Sequence, residues 1–262
     1  MVFEWIDHPS FRRDEQLMAV LFDLGMATRK QLATVTGWTE NEVEWSLKRI
    51  RKWGDTKEKK DEWIRSYRLP LRQNRIAVYT LGRRGIRYVS DMMNQGKLRR
   101  RESPRGQIAH FLGLNDVLCR LVEAGADRNE IKWLSTLKSI DFLAFVYETN
   151  GLPFDQAKIR PDARLMIANG RSYWIEYDNA TEGPRQLEKK LHEYVTTLRH
   201  PEKGWLDRAP IVWVTINEQR RDYLQKLWTA VCNRFDETPE MKFFVAGDET
   251  HFLLPQGSIL NL

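Results

Sequence analysis

The segment PDARLMIANGRSYWIEYDNATEGPRQLEKKLHEY, Pro161 to Tyr194, constrains the fold more tightly than any other stretch. Two alternating runs flank Asn169-Gly170, and a helical pattern follows Pro184. Asn-Gly favours a two-residue type I′ turn. That turn would pair Ala168 with Arg171 and throw Asp162 and Glu176 onto opposite faces. A three-residue loop with a bulge pairs Ala168 with Ser172 instead. Ala163, Leu165, Ile167, Tyr173, Ile175 and Tyr177 then share an apolar face. Asp162, Arg164, Trp174, Glu176 and Asp178 share the other. A slip of one residue would scatter the apolar set, so the pattern selects the bulged register. It sets Asp162 directly opposite Asp178, with Cβ atoms ~5 Å apart. Three carboxylates on one face need a counter-charge, either a divalent ion, a lysine or a proton. Pro184 suits the first turn of the following helix, on which Lys190 is the candidate lysine, beside Leu187, Leu191, Tyr194 and Leu198.

With 262 residues, 42% of them apolar, and ten Trp, the chain can bury one large core or two modest ones. Its two cysteines, Cys119 and Cys232, form neither a disulfide framework nor a zinc pattern and read as reduced thiols. No run approaches the ~18 apolar residues of a membrane span. The start, MVFEWIDHPS, lacks a basic region followed by an apolar run, so the expected location is cytoplasmic, away from membranes.

Charge divides the chain. Residues 1–110 carry 23 Lys and Arg against 14 Asp and Glu, whereas residues 111–262 carry 19 against 22. A basic module facing a polyanion, joined to a neutral or acidic one, accounts for this asymmetry.

The basic module, residues 11–96, opens with Leu17, Val20, Leu21 and Leu24 at helical spacing, closed by Gly25. Thr28 caps a short helix ending at Gly37. Thr39 and Glu42 form a T-x-x-E capping box on a third, with Val43, Leu47 and Ile50 as its core stripe. Three helices with short connections predict a helix-turn-helix. On the third, Asn41, Trp45, Lys48 and Lys52 cluster opposite the apolar stripe, as a helix reading duplex DNA requires. A Trp on a merely solvated face would have no role there. Alternating runs at 63–69 and 75–80 predict a β-hairpin with Arg72 and Arg75 at its tip, which completes a winged helix. A closing helix follows, with Thr80 near its cap. The stretch KLRRRESPRG, residues 97–106, reads as a basic linker whose Arg99, Arg100 and Arg101 track phosphates.

The second module, residues 107–262, opens with a helix over 107–125. Strands are expected at 131–136, 140–147, 211–216, 242–246 and 251–254, with a helix over 218–235. Together with the central hairpin and its helix, this predicts a mixed α/β sandwich, and the whole chain an α+β or α/β fold. The chain carries no P-loop, and no His-hydrophobe-His motif of the kind a relaxase or rolling-circle initiator needs.

Several segments together resemble the replication-relaxation family of plasmid and mobile-element proteins. They are His110 and Asn115 in HFLGLNDV, the start Pro161-Asp162-Ala163, the end Glu176-Tyr177-Asp178, and Leu187, Lys190, Leu191 and Tyr194 in L-x-x-K-L-x-x-Y. The likeness covers about residues 14–200. It implies an N-terminal winged helix followed by a PD-(D/E)xK nuclease-like domain. By the same resemblance Asp162 and Glu176 would bind Mg²⁺ and Lys190 would stand in for the catalytic lysine. Asp178 occupies the position where that motif has its lysine, and would serve instead as a third metal ligand. The implied function is sequence-specific binding of double-stranded DNA in plasmid or mobile-element replication or mobilisation. The chain would act by origin binding and assembly with other replication or transfer proteins, as a homodimer on repeated sites, with a degenerate nuclease-like domain. A metal-dependent endonuclease aimed by the winged helix and a transcriptional regulator are the alternatives.

Overall fold

The computed structural model describes residues 2–53, 62–70, 75–93 and 105–254, with backbone only for Pro70 and Arg75. The chain divides into two compact units, residues 1–123 and 124–262. Each combines helices with a small sheet, so the fold is α+β.

In the first unit the order is α1 (Arg13–Leu24), β1 (Met26–Thr28), α2 (Arg29–Thr36), α3 (Glu40–Lys52), β2 (Ile64–Pro70), β3 (Arg75–Leu81), α4 (Arg83–Met92) and α5 (Ile108–Glu123). The expected caps are in place. Gly25 and Gly37 end α1 and α2 at φ 79° and 76°, in the positive-φ region open to glycine. The Thr28 hydroxyl accepts from the Gln31 N–H at 3.1 Å. At α3, Thr39 and Glu42 form the reciprocal box, with the Thr39 N–H donating to Glu42 at 2.8 Å. Val43, Leu47 and Ile50 are buried, and α1, enclosed along nearly its whole length, contacts α2, α3, α4 and β3. The three strands pair antiparallel in the order β1-β3-β2.

Two expectations change here. Thr80 does not cap α4. It lies in β3 and donates its hydroxyl to the Gly25 carbonyl at 2.7 Å, while Gly82 takes the cap position. A Cβ on Gly82 would lie 2.0 Å from the Glu62 carbonyl oxygen, so the close chain crossing demands glycine. The helix expected to open the second module is α5, and it packs within the first unit. Ile108 joins Met26 and Val78 in a core cluster. The Asn115 amide donates to the Met26 carbonyl at 2.6 Å, and Gln31 donates to the Leu112 carbonyl and the Asp116 carboxylate. Sequence separation hid these hydrogen bonds, which join residues more than 80 positions apart.

In the second unit the order is β4 (Ile131–Ser135), α6 (Thr136–Thr149), β5 (Ala163–Ile167), β6 (Ser172–Asp178), α7 (Pro184–Leu198), β7 (Arg199–His200), β8 (Gly204–Trp205), β9 (Ile211–Thr215), α8 (Glu218–Cys232), β10 (Met241–Val245) and α9 (Thr250–Leu253). A five-stranded sheet runs β10-β9-β6-β5-β4, with β6, β9 and β10 mutually parallel and β5 and β4 antiparallel to their neighbours. Parallel neighbours need long crossovers, and α7 and α8 provide them.

Residues 140–147, expected as a strand, lie in α6. Ser139, Leu143, Val146 and Tyr147 are its buried positions, a helical spacing that the run of apolar residues disguised. Residues 251–254, also expected as a strand, mostly belong to the single helical turn α9, where Phe252 packs on Tyr173 and Phe244.

The central hairpin keeps its expected faces but not its expected pairing. Arg164 faces Trp174 and Met166 faces Ser172, two residues away from the bulged register. The Ile167 N–H donates to the Arg171 carbonyl at 2.8 Å, and Gly170 sits at φ 86° in the connection. A shift of two preserves which residues share a face but changes who meets whom. Extended by one step, the register sets Asp162 against Glu176 rather than Asp178. The acidic face is also not a wet one. Leu143 and Tyr147 of α6, Leu187, Leu191 and Tyr194 of α7, and Leu224 and Val231 of α8 pack on that side of the sheet, against Trp174 and Trp213.

Candidate nucleic-acid interface

The outer face of α3 carries the four residues singled out by their spacing. Trp45 is 62% exposed, and Asn41, Lys48 and Lys52 are exposed beside it. At 100° per residue the four fall within one narrow stripe. The acids of α3 could neutralise such a face, but Glu40 and Glu42 are engaged elsewhere and Glu44 is shared between Arg29 and Lys48. Glu42 meets Arg13 at 2.6 Å and closes the capping box. Its carboxyl is held down to about 2, first by the Thr39 backbone N–H and then by Arg13. Glu40 and Glu44 are answered by Arg29 of α2, at 2.7 and 3.7 Å. Arg49, just off the stripe, forks onto Asp14 of α1 with contacts of 2.7 to 3.1 Å. The side chains of Asn41, Trp45 and Lys52 make no hydrogen bond, ion pair or ring contact with any described residue, and that of Lys48 reaches only Glu44, at 3.5 Å. The stripe therefore presents an amide, an indole and two ammonium groups outward. Such a set can hydrogen-bond a base edge, pack on an apolar group and meet phosphates.

Arg72, Arg99, Arg100 and Arg101 lie outside the described residues, as does the side chain of Arg75. The described parts of the hairpin, β2 and β3, pair from Ile64↔Leu81 to Pro70↔Arg75, as expected of a β-hairpin.

In the second unit, Asp162, Glu176 and Lys190 come together and Asp178 does not join them. Glu176 is fully buried beneath α7. It accepts from the Lys190 ammonium at 2.6 Å and from the Tyr194 hydroxyl, one turn further along α7. Burial pushes its carboxyl up to about 8, against the pull of Lys190, with Asp162 adding to the rise. Burial works against the charge on Lys190, but Glu176 and Asp162 outweigh it and hold its pKa above the usual lysine value. Asp162 accepts from the Tyr177 N–H at 2.9 Å.

Asp178 lies two residues along the strand from Glu176. Arg220 of α8 takes it in a fork of 2.5 and 3.1 Å and also binds the Glu182 carbonyl at 2.9 Å. The Ala180 N–H adds a further bond to Asp178 at 3.0 Å. The expected trio of ligands is thus split. Among the described residues, no group of three or more His, Cys, Asp or Glu is placed to hold a metal ion.

Three roles were not read from the sequence. Tyr194, grouped by spacing with the apolar residues of α7, donates to Glu176. Its i+4 spacing from Lys190 was the available signal. Arg220 carried no signal, because only the fold brings α8 to the end of β6. Arg164, on the same face, is buried between Phe142 and Trp174, 4.1 and 4.2 Å from their ring centres, and meets Asp207 at 2.7 Å. Burial lowers its pKa, with Asp207 opposing. The cysteines are both free, Cys119 buried and Cys232 only half-buried. Burial pushes the Cys119 thiol up to about 12, which leaves it unreactive.

Among the described residues, no helix is long and apolar enough to cross a membrane. No curated protein and no solved structure matches the chain. The family model described as Replication-relaxation matches residues 18–207, which cover the first unit from within α1 onward and the strands β4 to β6, helix α7 and buried carboxylates of the second. The chain belongs to the replication-relaxation family.

Proposed function

We propose that the chain is a sequence-specific double-stranded DNA-binding protein of plasmid or mobile-element replication or mobilisation, acting in the cytoplasm by binding an origin and assembling other proteins there. The first unit is read as a winged helix, with α3 as its recognition helix and the β2–β3 hairpin as its wing. The observation that carries this reading is the outer face of α3. Asn41, Trp45, Lys48 and Lys52 point outward while Arg13 and Arg29 answer the acids of the same helix. Family membership supports a DNA partner.

The second unit is read as a PD-(D/E)xK-like scaffold that no longer cleaves. Lys190 and Tyr194 fill the coordination of Glu176, and Arg220 claims Asp178. Its role in this reading is assembly, including pairing of two copies on repeated sites.

Titration of labelled duplex at several salt concentrations tests the interface. Each phosphate contact contributes about 0.9 to the slope of log affinity against log salt. Lys48→Ala and Lys52→Ala are each expected to weaken binding and to flatten that slope by about one contact. Slopes unchanged in both variants would sink this docking.

A further inference from the structure

Resting on that reading of α3, we infer that the chain's site contains an adenine read by Asn41 and, one or two base pairs away, a thymine methyl packed against Trp45. The argument begins with which groups on α3 remain unoccupied. Glu40, Glu42, Glu44 and Arg49 can all read base edges in principle, but Glu40, Glu42 and Arg49 are bound to neighbouring helices and Glu44 is held between Arg29 of α2 and Lys48 of its own helix. Asn41 is the one carboxamide on the exposed stripe, and no described residue hydrogen-bonds it. It stands in the first turn of α3, the end of a recognition helix that meets base edges. A carboxamide offers one donor and one acceptor side by side, which matches the N7 and N6 pattern of adenine in the major groove.

Trp45 is one turn on, and its indole is 62% exposed with no aromatic or cationic partner among the described residues. A large apolar surface held out on a helix that otherwise buries its apolar residues needs an apolar counterpart. In the major groove of unmodified DNA that counterpart is the thymine methyl. Four residues of helix advance ~6 Å, and base pairs repeat every ~3.4 Å. The two contacts therefore fall one or two steps apart. Lys48 and Lys52 continue the stripe toward the C-terminal end of α3, where they meet phosphates and carry no sequence information.

The test begins with selection of sites from a randomised duplex pool by the full-length wild-type chain. Recovered sites are expected to share an adenine and a thymine at the stated spacing. Replacing that thymine by deoxyuracil removes one methyl and should weaken wild-type binding about fourfold. Replacing the adenine by 7-deazaadenine removes the N7 acceptor and should weaken it about fivefold or more. Trp45→Ala should abolish the uracil effect and Asn41→Ala the deaza effect, each leaving the other intact. Both substitutions lie on the surface, and the base analogues leave the protein untouched. Sites with no shared A·T pair, or analogue effects that persist in the matching variants, overturn the inference. If Lys48→Ala still flattens the salt slope in that case, the DNA-binding reading stands without it. An absence of duplex binding overturns both.

Discussion

Glu176 shows how burial and two donors from one helix set the state of a single carboxyl. It stands where the resemblance places a metal ligand, yet its two oxygens are taken by Lys190 and Tyr194 of one helix. At pH 8.5, where the carboxyl is charged, removing Lys190 leaves it without its counter-charge, so Lys190→Met should there cost about 3 kcal/mol of stability. Burial raises the carboxyl above its unfolded value, so the folded state holds that proton more tightly than the unfolded chain does. The resulting stabilisation is complete below the ordinary value of 4.5 and is lost as pH rises to about 8. Glu176→Gln should flatten stability against pH across that window. Urea midpoints at pH 5, 7 and 8.5 for wild type and variant check both the sign and the assignment. A wild-type midpoint that rises between pH 5 and 8.5 would contradict it.

At the scale of elements, the caps set where α3 begins, and so where Asn41 and Trp45 point. Thr39 satisfies the Glu42 N–H, and Glu42 returns a bond to the Thr39 N–H at 2.8 Å. Thr39→Ala should cost about 1 kcal/mol, read as a lower thermal midpoint. Arg29 serves a different purpose, because it belongs to α2 but neutralises Glu40 and Glu44 on α3. Its charge is about half-exposed and adds little to stability. Arg29→Ala is expected to leave the melting temperature within about 2 °C while weakening duplex binding, since Glu40 then faces the phosphates uncompensated and Glu44 draws on Lys48 alone. Equal affinity for wild type and variant in an anisotropy titration at low salt would show that the acids are not felt at the interface.

At the scale of the molecule, the division after Glu123 separates a unit with an excess of positive charge from one with a slight negative excess. That is the pattern expected when affinity for a polyanion is concentrated in one part of a chain. The reading of the second unit as non-cleaving makes a direct claim about supercoiled DNA. With Mg²⁺ or Mn²⁺, wild type should nick it no faster than Asp162→Ala does. Nicking by wild type that disappears in Asp162→Ala would restore the endonuclease reading.

Local physics made much of the chain legible in one dimension. The caps at Thr28 and Thr39, the glycines that end α1 and α2, the stripe on α3, and the two faces of the β5–β6 hairpin follow from spacing and from which residues tolerate which backbone. All of these depend on neighbours within a turn or across a short hairpin. What lay beyond that range came from the tertiary structure. Two registers of equal parity satisfy the same hydrophobic alternation, and the structure adopts the one that sets Asp162 against Glu176, closed by Gly170 at φ 86°. The apolar run at 140–147 is compatible with strand or helix until α6 has something to pack on. The assignment of α5 to the first unit and the capture of Asp178 by Arg220 rest on contacts across 42 to 91 positions of chain. Spacing could bring the acids to one face. Spacing could also nominate Lys190 as their counter-charge, but only the fold could add the tyrosine and arginine that complete their partners.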